Sequence, residues 1–203
     1  MKWFVIACCL AAQCAFADTA ISLAGTWRFA LDPQNVGISE SWFNKSLPET
    51  VMLPGSTDSN RKGTRNTRKP DLSHPSRLYE YTGPAWYQRE ITIPREWKGK
   101  RITLFLERCH WETQAWLDGK PCGMQDSLCV PHVHELSASP GHHRLTIRVD
   151  NTIKYNVGSW AHSITEETQT NWNGIVGRME LQATPSTYIE NVQVYPESKG
   201  IRV

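Results

Sequence analysis

The feature that most constrains this chain is an alternation of apolar and polar residues with a period of two. The alternation, or a short apolar run, recurs in segments rich in β-branched and aromatic residues: GTWRFALD, AWYQREITIP, RITLFLER, TQAWLDGKP, HRLTIRVDNT, GRMELQAT and YIENVQVYP. Successive side chains of a strand point to opposite faces, so this pattern is typical of strands with a buried face. No long segment has helical periodicity, and Ser39 to Lys45 predicts at most one short helical turn. The sequence therefore predicts an all-β fold.

Turn signals divide these segments into short strands. Asp118-Gly119 lies between two of them and predicts a tight hairpin. Short strands with a turn every ~8–12 residues favour a β-sandwich or jelly roll. Two long connections, from Leu53 to Pro84 and from Asn151 to Asn173, have no strand pattern. Long loops on a rigid β scaffold often carry binding residues, so these connections are the first places to search for a site.

The first residues, MKWFVIACCLAAQCAFA, have the pattern of a secretory signal. Lys2 forms a short positive region, an apolar run extends from Trp3 to Leu10, and Ala15-Phe16-Ala17 fits a small-x-small cleavage site. The apolar run is too short to anchor the chain in a bilayer. The pattern predicts a signal peptide over residues 1–17 and export to the periplasm or the medium. A lipoprotein signal is the alternative, because three cysteines lie nearby: Cys8, Cys9 and Cys14.

The charge balance argues against a general role in nucleic-acid binding. The sequence has 22 Lys and Arg against 20 Asp and Glu, and loss of Lys2 with the signal would leave 21 basic residues. A nearly balanced charge argues against a general nucleic-acid binder. The basic run from Arg61 to Lys69 has no interleaved aromatic residue, which favours a solvated loop over contact with an anionic partner. After the signal, no segment is apolar enough to predict a membrane span.

The cysteines and histidines give little indication of a metal site. After the predicted cleavage Cys109, Cys122 and Cys129 remain, an odd number that leaves at least one thiol unpaired. Cys122 and Cys129 flank a short loop and could form a disulfide, whereas Cys109 lies in an apolar strand and predicts a buried thiol. His132 and His134 alternate along a predicted strand, which favours a surface face over a metal site. We expect no metal and no cofactor.

The end of the chain resembles the beginning of a second unit. Pro185 follows the segment GRMELQAT, a new strand pattern starts at Tyr188, and the sequence continues with ESKGIRV. One pair of strands is not stable alone. The pattern predicts a domain over residues 18–184 and the start of a second β domain over residues 185–203, so we expect a fragment of a longer protein.

Five motifs in order now carry a resemblance: LAGTWRFALDP, LPGSTDSNRKG, YTGPAWYQREITIP, RITLFLERCHWETQAWLDGK and TQTNWNGIVGRMELQATPSTYIENVQVYP. Together they resemble the N-terminal sugar-binding domain of family 2 glycoside hydrolases, which include β-galactosidases, β-glucuronidases and β-mannosidases. The resemblance covers about Ile21 to Val203. It implies a jelly-roll β-sandwich of galactose-binding-like type, followed by an immunoglobulin-like domain and a catalytic (β/α)8 barrel.

The resemblance also bears on catalysis. The two catalytic glutamates of the family lie in the barrel. Retaining hydrolysis needs two carboxyl groups ~5–5.5 Å apart, and no such pair is predicted in this chain. We therefore expect a non-catalytic domain whose partners are carbohydrate, the catalytic barrel and the immunoglobulin-like domain. A free-standing carbohydrate-binding module and a purely structural interaction domain are the alternatives.

The candidate ligand contacts precede the last long strand, in the segment ETQTNWNGIVG over residues 167–177. Neutral donors and acceptors suited to sugar hydroxyl groups occur at Thr168, Gln169, Thr170, Asn171 and Asn173. The ring of Trp172 offers an apolar face for sugar C–H groups. The alternative interpretation is that Trp172 fills the core and that Asn173-Gly174 is only a turn.

Two further residues complete the candidate site, and one position of the loop differs from the resembled family. His162 lies in the same long loop, and Asp58 lies in the LPGSTDSNRKG motif. In some β-galactosidases of the resembled family, an acid two positions before the tryptophan contacts sugar and sodium. That position is Thr170 in this sequence, so no sodium site is predicted. Packing roles are predicted for the remaining tryptophans that mark strands, which include Trp27, Trp86, Trp97 and Trp116.

Overall fold

The computed structural model describes residues 19–68, 76–162, 164–165, 168, 170–189, 192–197 and 200–202. The predicted signal peptide and Gln169 lie outside these ranges. Within them the chain forms fifteen strands and two single-turn 3-10 helices, over Trp42–Asn44 and Arg95–Trp97. The strands are β1 (Ala20–Ser22), β2 (Gly25–Leu31), β3 (Glu49–Leu53), β4 (Gly55–Ser56), β5 (Thr64–Arg65), β6 (Tyr79–Glu80), β7 (Pro84–Ile93), β8 (Arg101–His110), β9 (Glu112–Leu117), β10 (Lys120–Gln125), β11 (His132–Leu136), β12 (Gly141–Asp150), β13 (Gly174–Thr184), β14 (Tyr195–Glu197) and β15 (Gly200–Arg202).

Two antiparallel sheets form the body of the protein. The six-stranded sheet has the order β10-β9-β12-β7-β2-β3, and the five-stranded sheet has the order β1-β13-β8-β11 with β4 paired to β13. Alternate residues of both sheets bury their side chains in one core, which includes Trp27, Tyr87, Leu104, Ile147 and Leu181. This arrangement confirms the predicted all-β jelly-roll sandwich.

A second apolar cluster lies on the outer face of the six-stranded sheet. The segment over residues 33–47 folds across this face and packs Trp42 and Phe43 against Trp86 and Trp116. The Phe43 and Trp116 rings are stacked with centroids 5.2 Å apart, and the Trp86 and Trp116 centroids are 5.1 Å apart. The predicted helical turn is the 3-10 helix Trp42–Asn44 of this segment. The packing roles predicted for Trp86 and Trp116 are confirmed, but outside the central core.

Buried Asp32 holds the start of that segment. Its carboxylate accepts hydrogen bonds from the backbone N–H groups of Val36 and Gly37, both at 2.8 Å, and from the indole of Trp86 at 3.1 Å. A side chain at Gly37 would meet the Trp86 ring at 2.6 Å, so only glycine fits. The outer segment is therefore fixed on the sheet by both apolar packing and a buried carboxylate.

The structure corrects two strand predictions. The connection from Leu53 to Pro84, predicted to lack strands, contains the short strands β4, β5 and β6. In the segment predicted as a strand from Tyr188, the described residues form a strand only over Tyr195–Glu197, which pairs with β15. Alternation alone does not make a strand, because backbone groups need a partner strand. Ile189 is 79% exposed, so its side chain is not packed against either sheet of the sandwich. A second β domain starting near residue 185 stays a prediction.

The predicted hairpin at Asp118-Gly119 is confirmed. Both residues have positive φ, 50° and 77°, as a tight type I′ turn between β9 and β10 requires. Cys109 is a buried thiol, as predicted, and burial raises its pKa. Cys122 and Cys129 are free thiols in this structure, so the disulfide considered from the sequence is not formed.

The described residues contain neither a membrane-spanning helix nor a metal-binding cluster. Within them, no helix has the length and apolar character needed to cross a membrane. Across the same residues, no group of three or more His, Cys, Asp or Glu side chains is arranged to hold a metal ion.

The prediction of surface histidines on β11 is wrong. His132 is 0% exposed and His134 is 1% exposed, because the inward face of β11 carries them together with Leu136. Both rings contact the hydroxyl of Thr113, at 2.7 Å from His132 Nδ1 and 2.9 Å from His134 Nε2. His132 Nε2 lies 2.7 Å from the carbonyl of Ser127, which can only accept, so Nε2 carries the proton. The Thr113 hydroxyl donates to His132 Nδ1 and accepts from His134.

Burial lowers the pKa of both histidines, and of His134 to about 4. The charge of Asp126 opposes this effect at His132, and His132 adds to it at His134. The native state therefore excludes protons that the unfolded chain takes up below its ordinary histidine pKa of 6.5.

We expect the free energy of unfolding to fall as the pH drops from 6.5 towards 4 because His134 is held neutral in the fold. One pKa unit corresponds to ~1.4 kcal/mol, so the His134 contribution to this loss is at most ~3 kcal/mol. Urea unfolding at pH 7.5, 6 and 5 measures it. His134→Gln should flatten this pH dependence, and His142→Gln, at an exposed position, should not. Equal pH dependence in wild type and His134→Gln would contradict the assignment.

Candidate functional site

The predicted site residues lie at one end of the sandwich, where several strands begin or end together. The end of β12 pairs with the start of β7, through Asp150 and Pro84. The end of β8 pairs with the start of β13, through His110 and Gly174. Both long connections open onto this end, so antiparallel pairing brings together loops that are distant in sequence.

Three buried asparagines, Asn151, Asn171 and Asn173, link these loops; we call them the asparagine cluster. Asn171 donates from Nδ2 to the carbonyl of Asn151 at 2.9 Å, and Asn151 Nδ2 returns a bond to the carbonyl of Asn171 at 3.3 Å. Asn173 donates from Nδ2 to the carbonyl of Gly83 at 2.8 Å and to Asn151 Oδ1 at 3.2 Å. The N–H of Gly83 donates to Asn151 Oδ1 at 2.9 Å. Asn151 and Asn173 thus join the 151–173 connection to Gly83 of the 53–84 connection, and Asn171 ties together the two ends of the 151–173 connection.

Arg77 and Asp58 continue this hydrogen-bond network in the 53–84 loop. The guanidinium of Arg77, 7% exposed, donates to the carbonyl of Asn171 and to the carbonyl of Tyr81 at 3.3 Å. The Asp58 carboxylate accepts from the N–H of Tyr79 at 2.7 Å. Asp58 therefore shapes the loop beside the candidate site, and one of its oxygens is engaged in doing so.

Trp172 is half-buried and begins a row of aromatic rings. Its ring lies against His110 with centroids 5.0 Å apart, and His110 lies 6.4 Å from Trp111. Trp111 contacts Tyr155 at 5.9 Å between centroids. His110 and Trp111 are buried and Tyr155 is 59% exposed, so this aromatic row runs from half-buried Trp172 through two buried rings to solvent. The sequence contained no signal for Tyr155 because its partners come from distant strands.

The other predicted residues differ in accessibility. His162 is exposed, and Thr168 is half-buried and donates its hydroxyl to the carbonyl of Ala161 at 3.1 Å. Thr170 and Asn171 are 6% and 4% exposed, and Asn173 is 0% exposed. Thr170 has a φ of 67°, a conformation that β-branched residues rarely adopt and that is often found at functional sites. The predicted residues thus fall into two groups. The accessible group is His162, Thr168 and Trp172, and the buried group is Thr170, Asn171 and Asn173.

A groove of about 660 Å³ lies between the 151–165 segment and the sheet end. Thr82, Ile153, Val157, Thr165 and Asn171 are among its lining residues. Of the predicted site residues within the described ranges, only Asn171 lines it. Its volume is in the range of ligand sites, and its walls combine apolar side chains with neutral hydrogen-bonding groups.

A charged network at the base of the 151–162 loop was missed in the sequence, where Asp150 showed no site signal. Arg148 donates to Glu112 Oε1 and Asp150 Oδ2, each at 2.9 Å, and Lys154 Nζ lies 2.9 Å from Asp150 Oδ2. Thr152 donates its N–H and hydroxyl to Asp150 Oδ1. Burial alone would raise the pKa of Asp150, but bonds from Thr152 and Lys154 and the charge of Arg148 outweigh it and lower the pKa. The network fixes the base of the loop around an ionised Asp150.

A two-sheet β-sandwich with polar loops, an aromatic row and a groove at one end has the architecture of a ligand-binding domain. A family model described as "Glycosyl hydrolases family 2, sugar binding domain" matches residues 21–185. The chain therefore belongs to glycosyl hydrolase family 2, of which it contains the sugar-binding domain, and the predicted resemblance is confirmed.

Several relatives by sequence and by structure are named β-glucuronidases. The chain is 28% identical over 137 residues to a β-glucuronidase of Paenibacillus borealis, covering 66% of this chain and 21% of the relative. It is 25% identical over 204 residues to the β-glucuronidase of Homo sapiens, and the match covers 85% of this chain and 30% of the human protein. The solved structure of a β-glucuronidase from an uncultured Clostridium sp. superposes with a TM-score of 0.67 at 26% identity, covering 89% and 32%.

A Ruminococcus gnavus β-glucuronidase superposes with a TM-score of 0.62 at 19% identity, which shows the fold alone. It covers 82% of this chain and 29% of that protein. The chain thus spans between about a fifth and a third of the length of the relatives described here.

We expect Asn173→Ala to destabilise the fold by about 1–3 kcal/mol, because it leaves the buried Gly83 carbonyl without the Asn173 donor and removes one of the two donors to Asn151 Oδ1. Urea unfolding at pH 7.5 measures the change. Asn44→Ala is the matched control: this asparagine is exposed, and substitutions at such positions usually change stability by less than ~0.5 kcal/mol. An Asn173→Ala protein as stable as the control variant would show that the cluster is dispensable.

Proposed function

We propose that this chain is the non-catalytic N-terminal domain of an exported family 2 glycosidase that hydrolyses O-glycosidic bonds of β-glucuronides. Family membership over residues 21–185 carries the proposal. The substrate class rests on the relatives, which are named β-glucuronidases. Export rests on the signal pattern of residues 1–17. An immunoglobulin-like domain and a catalytic barrel would make up the remaining length of the enzyme.

In this proposal the accessible residues of the loop form one wall of the sugar pocket and the barrel forms the other. Trp172 offers a ring face, and Thr168 and His162 offer polar groups suited to sugar hydroxyls. Asn173 is fully buried and positions the loop instead of contacting ligand. Because the asparagine cluster holds the loop before ligand arrives, little ordering entropy is lost on binding.

The acids beside the loop are unsuited to catalysis, which supports placing the catalytic pair in the barrel. A glycosidase acid needs a raised pKa so that it stays protonated. The pKa of Asp150 is lowered, and Lys154 bridges Asp150 and Glu112 at 2.9 and 3.5 Å. These carboxylates therefore serve as counter-ions for Arg148 and Lys154.

An apolar surface on the 151–162 loop supports a neighbouring domain at this end. Ile153, Tyr155, Val157 and Trp160 are exposed by 47%, 59%, 44% and 76%. Exposed apolar patches of this kind mark interaction sites. We propose that the barrel covers this surface, which would place it opposite Trp172 as well.

The activity is tested on the protein produced with the coding sequence that follows Val203. We expect hydrolysis of an aryl β-glucuronide at least tenfold faster, as kcat/KM, than of the matching β-galactoside or β-mannoside. The 203-residue chain alone should release no aglycone. Preference for the galactoside or mannoside would refute the substrate class, and turnover by the short chain would refute the non-catalytic role. Micromolar glucuronide binding by the short chain without an encoded barrel would favour a free-standing carbohydrate-binding module.

The role of the loop is tested by Trp172→Ala in the same enzyme. We expect kcat/KM for the β-glucuronide to fall about tenfold to a hundredfold, equivalent to ~1.4–2.7 kcal/mol of lost transition-state stabilisation. Met124→Ala, an exposed apolar residue on β10, is the control and should leave kcat/KM unchanged. If Trp172→Ala keeps both wild-type stability and wild-type kcat/KM, the loop does not belong to the sugar pocket.

A further inference from the structure

The outer face of the six-stranded sheet carries a second polar groove, remote in the fold from the loop end. One part, of about 520 Å³, is lined by Thr26, Arg28, Thr50, Gln88, Glu90 and Arg144 among others. A second part, of about 330 Å³, shares Glu90 and Arg144 with the first and continues to Asp118 and His143. We call the two parts together the outer-sheet groove.

Strand register places the floor of this groove across several strands. Arg28 pairs with Thr50 on β3 and with Gln88 on β7, and Gln88 pairs with Thr146 on β12. At ~4.7–4.9 Å per strand, the row crosses about 14 Å. Within this row Thr146 and Gln88 are 1% and 4% exposed, so Arg28 and Thr50 are the members that can reach a ligand. The two adjoining parts of the groove give it an extended shape.

The wall of the groove is rigid before any ligand binds. Ser46 and Asn44 line it, and they belong to the outer segment that Asp32 and the Trp86–Trp116 cluster fix on the sheet. The Gln88 side chain, 4% exposed, donates to the carbonyl of Lys45 at 2.9 Å and so ties this wall to the floor. The groove is therefore a built feature of the fold.

The charge of the larger part is positive, with three arginines against one glutamate among its lining residues. Arg144 pairs with Glu90 at 2.9 Å. Arg28 uses one guanidinium nitrogen for the carbonyl of Leu47 at 3.0 Å, and no carboxylate of the described part of the chain pairs with it. Arg89 alternates with Gln88 and Glu90 along β7, and its guanidinium donates to the carbonyls of Leu23 and Ala24. Arg28 therefore supplies the available positive charge of the groove.

We propose that the outer-sheet groove is a second carbohydrate site, which takes an acidic oligosaccharide through its uronate carboxylates. Arg28 pairs with a carboxylate, since guanidinium and carboxylate have matching hydrogen-bonding geometry. Thr26, Thr50 and Ser46 offer hydroxyl groups to the neutral sugar hydroxyls. The proposal goes beyond the function proposed above, which involves only the loop end, and either can fail alone.

The test is calorimetric titration of the 203-residue protein at low ionic strength with a tetrasaccharide of β-linked glucuronate. We expect binding at least tenfold tighter than for the neutral glucose tetrasaccharide, weakening as salt is added. Arg28→Glu should weaken uronate binding at least tenfold, and its unfolding transition should stay close to wild type because Arg28 is exposed. Arg95→Glu, which makes the same charge change at an exposed position outside the groove, is the matched control.

Three outcomes would overturn the proposal: no detectable uronate binding at millimolar concentration, equal binding of the acidic and neutral tetrasaccharides, or equal loss in Arg28→Glu and Arg95→Glu. A sulfated neutral tetrasaccharide that binds when the uronate does not would also refute the assigned ligand. Trp172→Ala separates the two sites, since it should leave uronate binding in the groove intact. Loss of that binding in Trp172→Ala would place the ligand at the loop end and refute the groove.

Discussion

The end of the sandwich depends on buried hydrogen bonds between asparagine side chains and backbone groups of neighbouring loops. Asn151 and Asn173 both bond Gly83, at the entry to β7, while Asn171 and Asn151 bond each other's carbonyls. A buried amide without a partner costs several kcal/mol, whereas a fully engaged one fixes a single geometry. This constraint holds the loop in front of β13 in place and leaves Trp172 at its surface.

The six-stranded sheet is covered on both faces, and this double coverage organises the remainder of the molecule. Tyr87 packs into the central core while its neighbour Trp86 packs under the outer segment. Where that segment ends, polar outward residues such as Arg28 and Thr50 stay exposed, and the outer-sheet groove results. The same fold thus offers two chemically different surfaces: a neutral and aromatic one at the loop end, and a charged one on the sheet face, where Arg28 has no carboxylate partner among the described residues.

Sequence patterns identified residues well where the signal is local and poorly where burial depends on partners distant in the sequence. The hairpin at Asp118-Gly119 and the paired strands β7 and β12 were predictable, because turn residues and alternation are local signals. His132 and His134 follow the same alternation but face inward, where Thr113 compensates their polarity. The polar loop residues were identified together, yet polarity could not tell the accessible Thr168 from the buried Asn173.

The sequence by itself determined the fold class, most of the long strands and, through ordered motifs, the family. These properties depend on backbone preferences and on apolar periodicity, which act over a few residues. Only the tertiary structure decided which polar side chains serve the interior and which remain for a ligand. The partner of Asn173 at Gly83 lies 90 positions away, and that of Arg77 at Asn171 lies 94 away. Such hydrogen bonds exist only once the sheets have paired, so no local pattern can specify them.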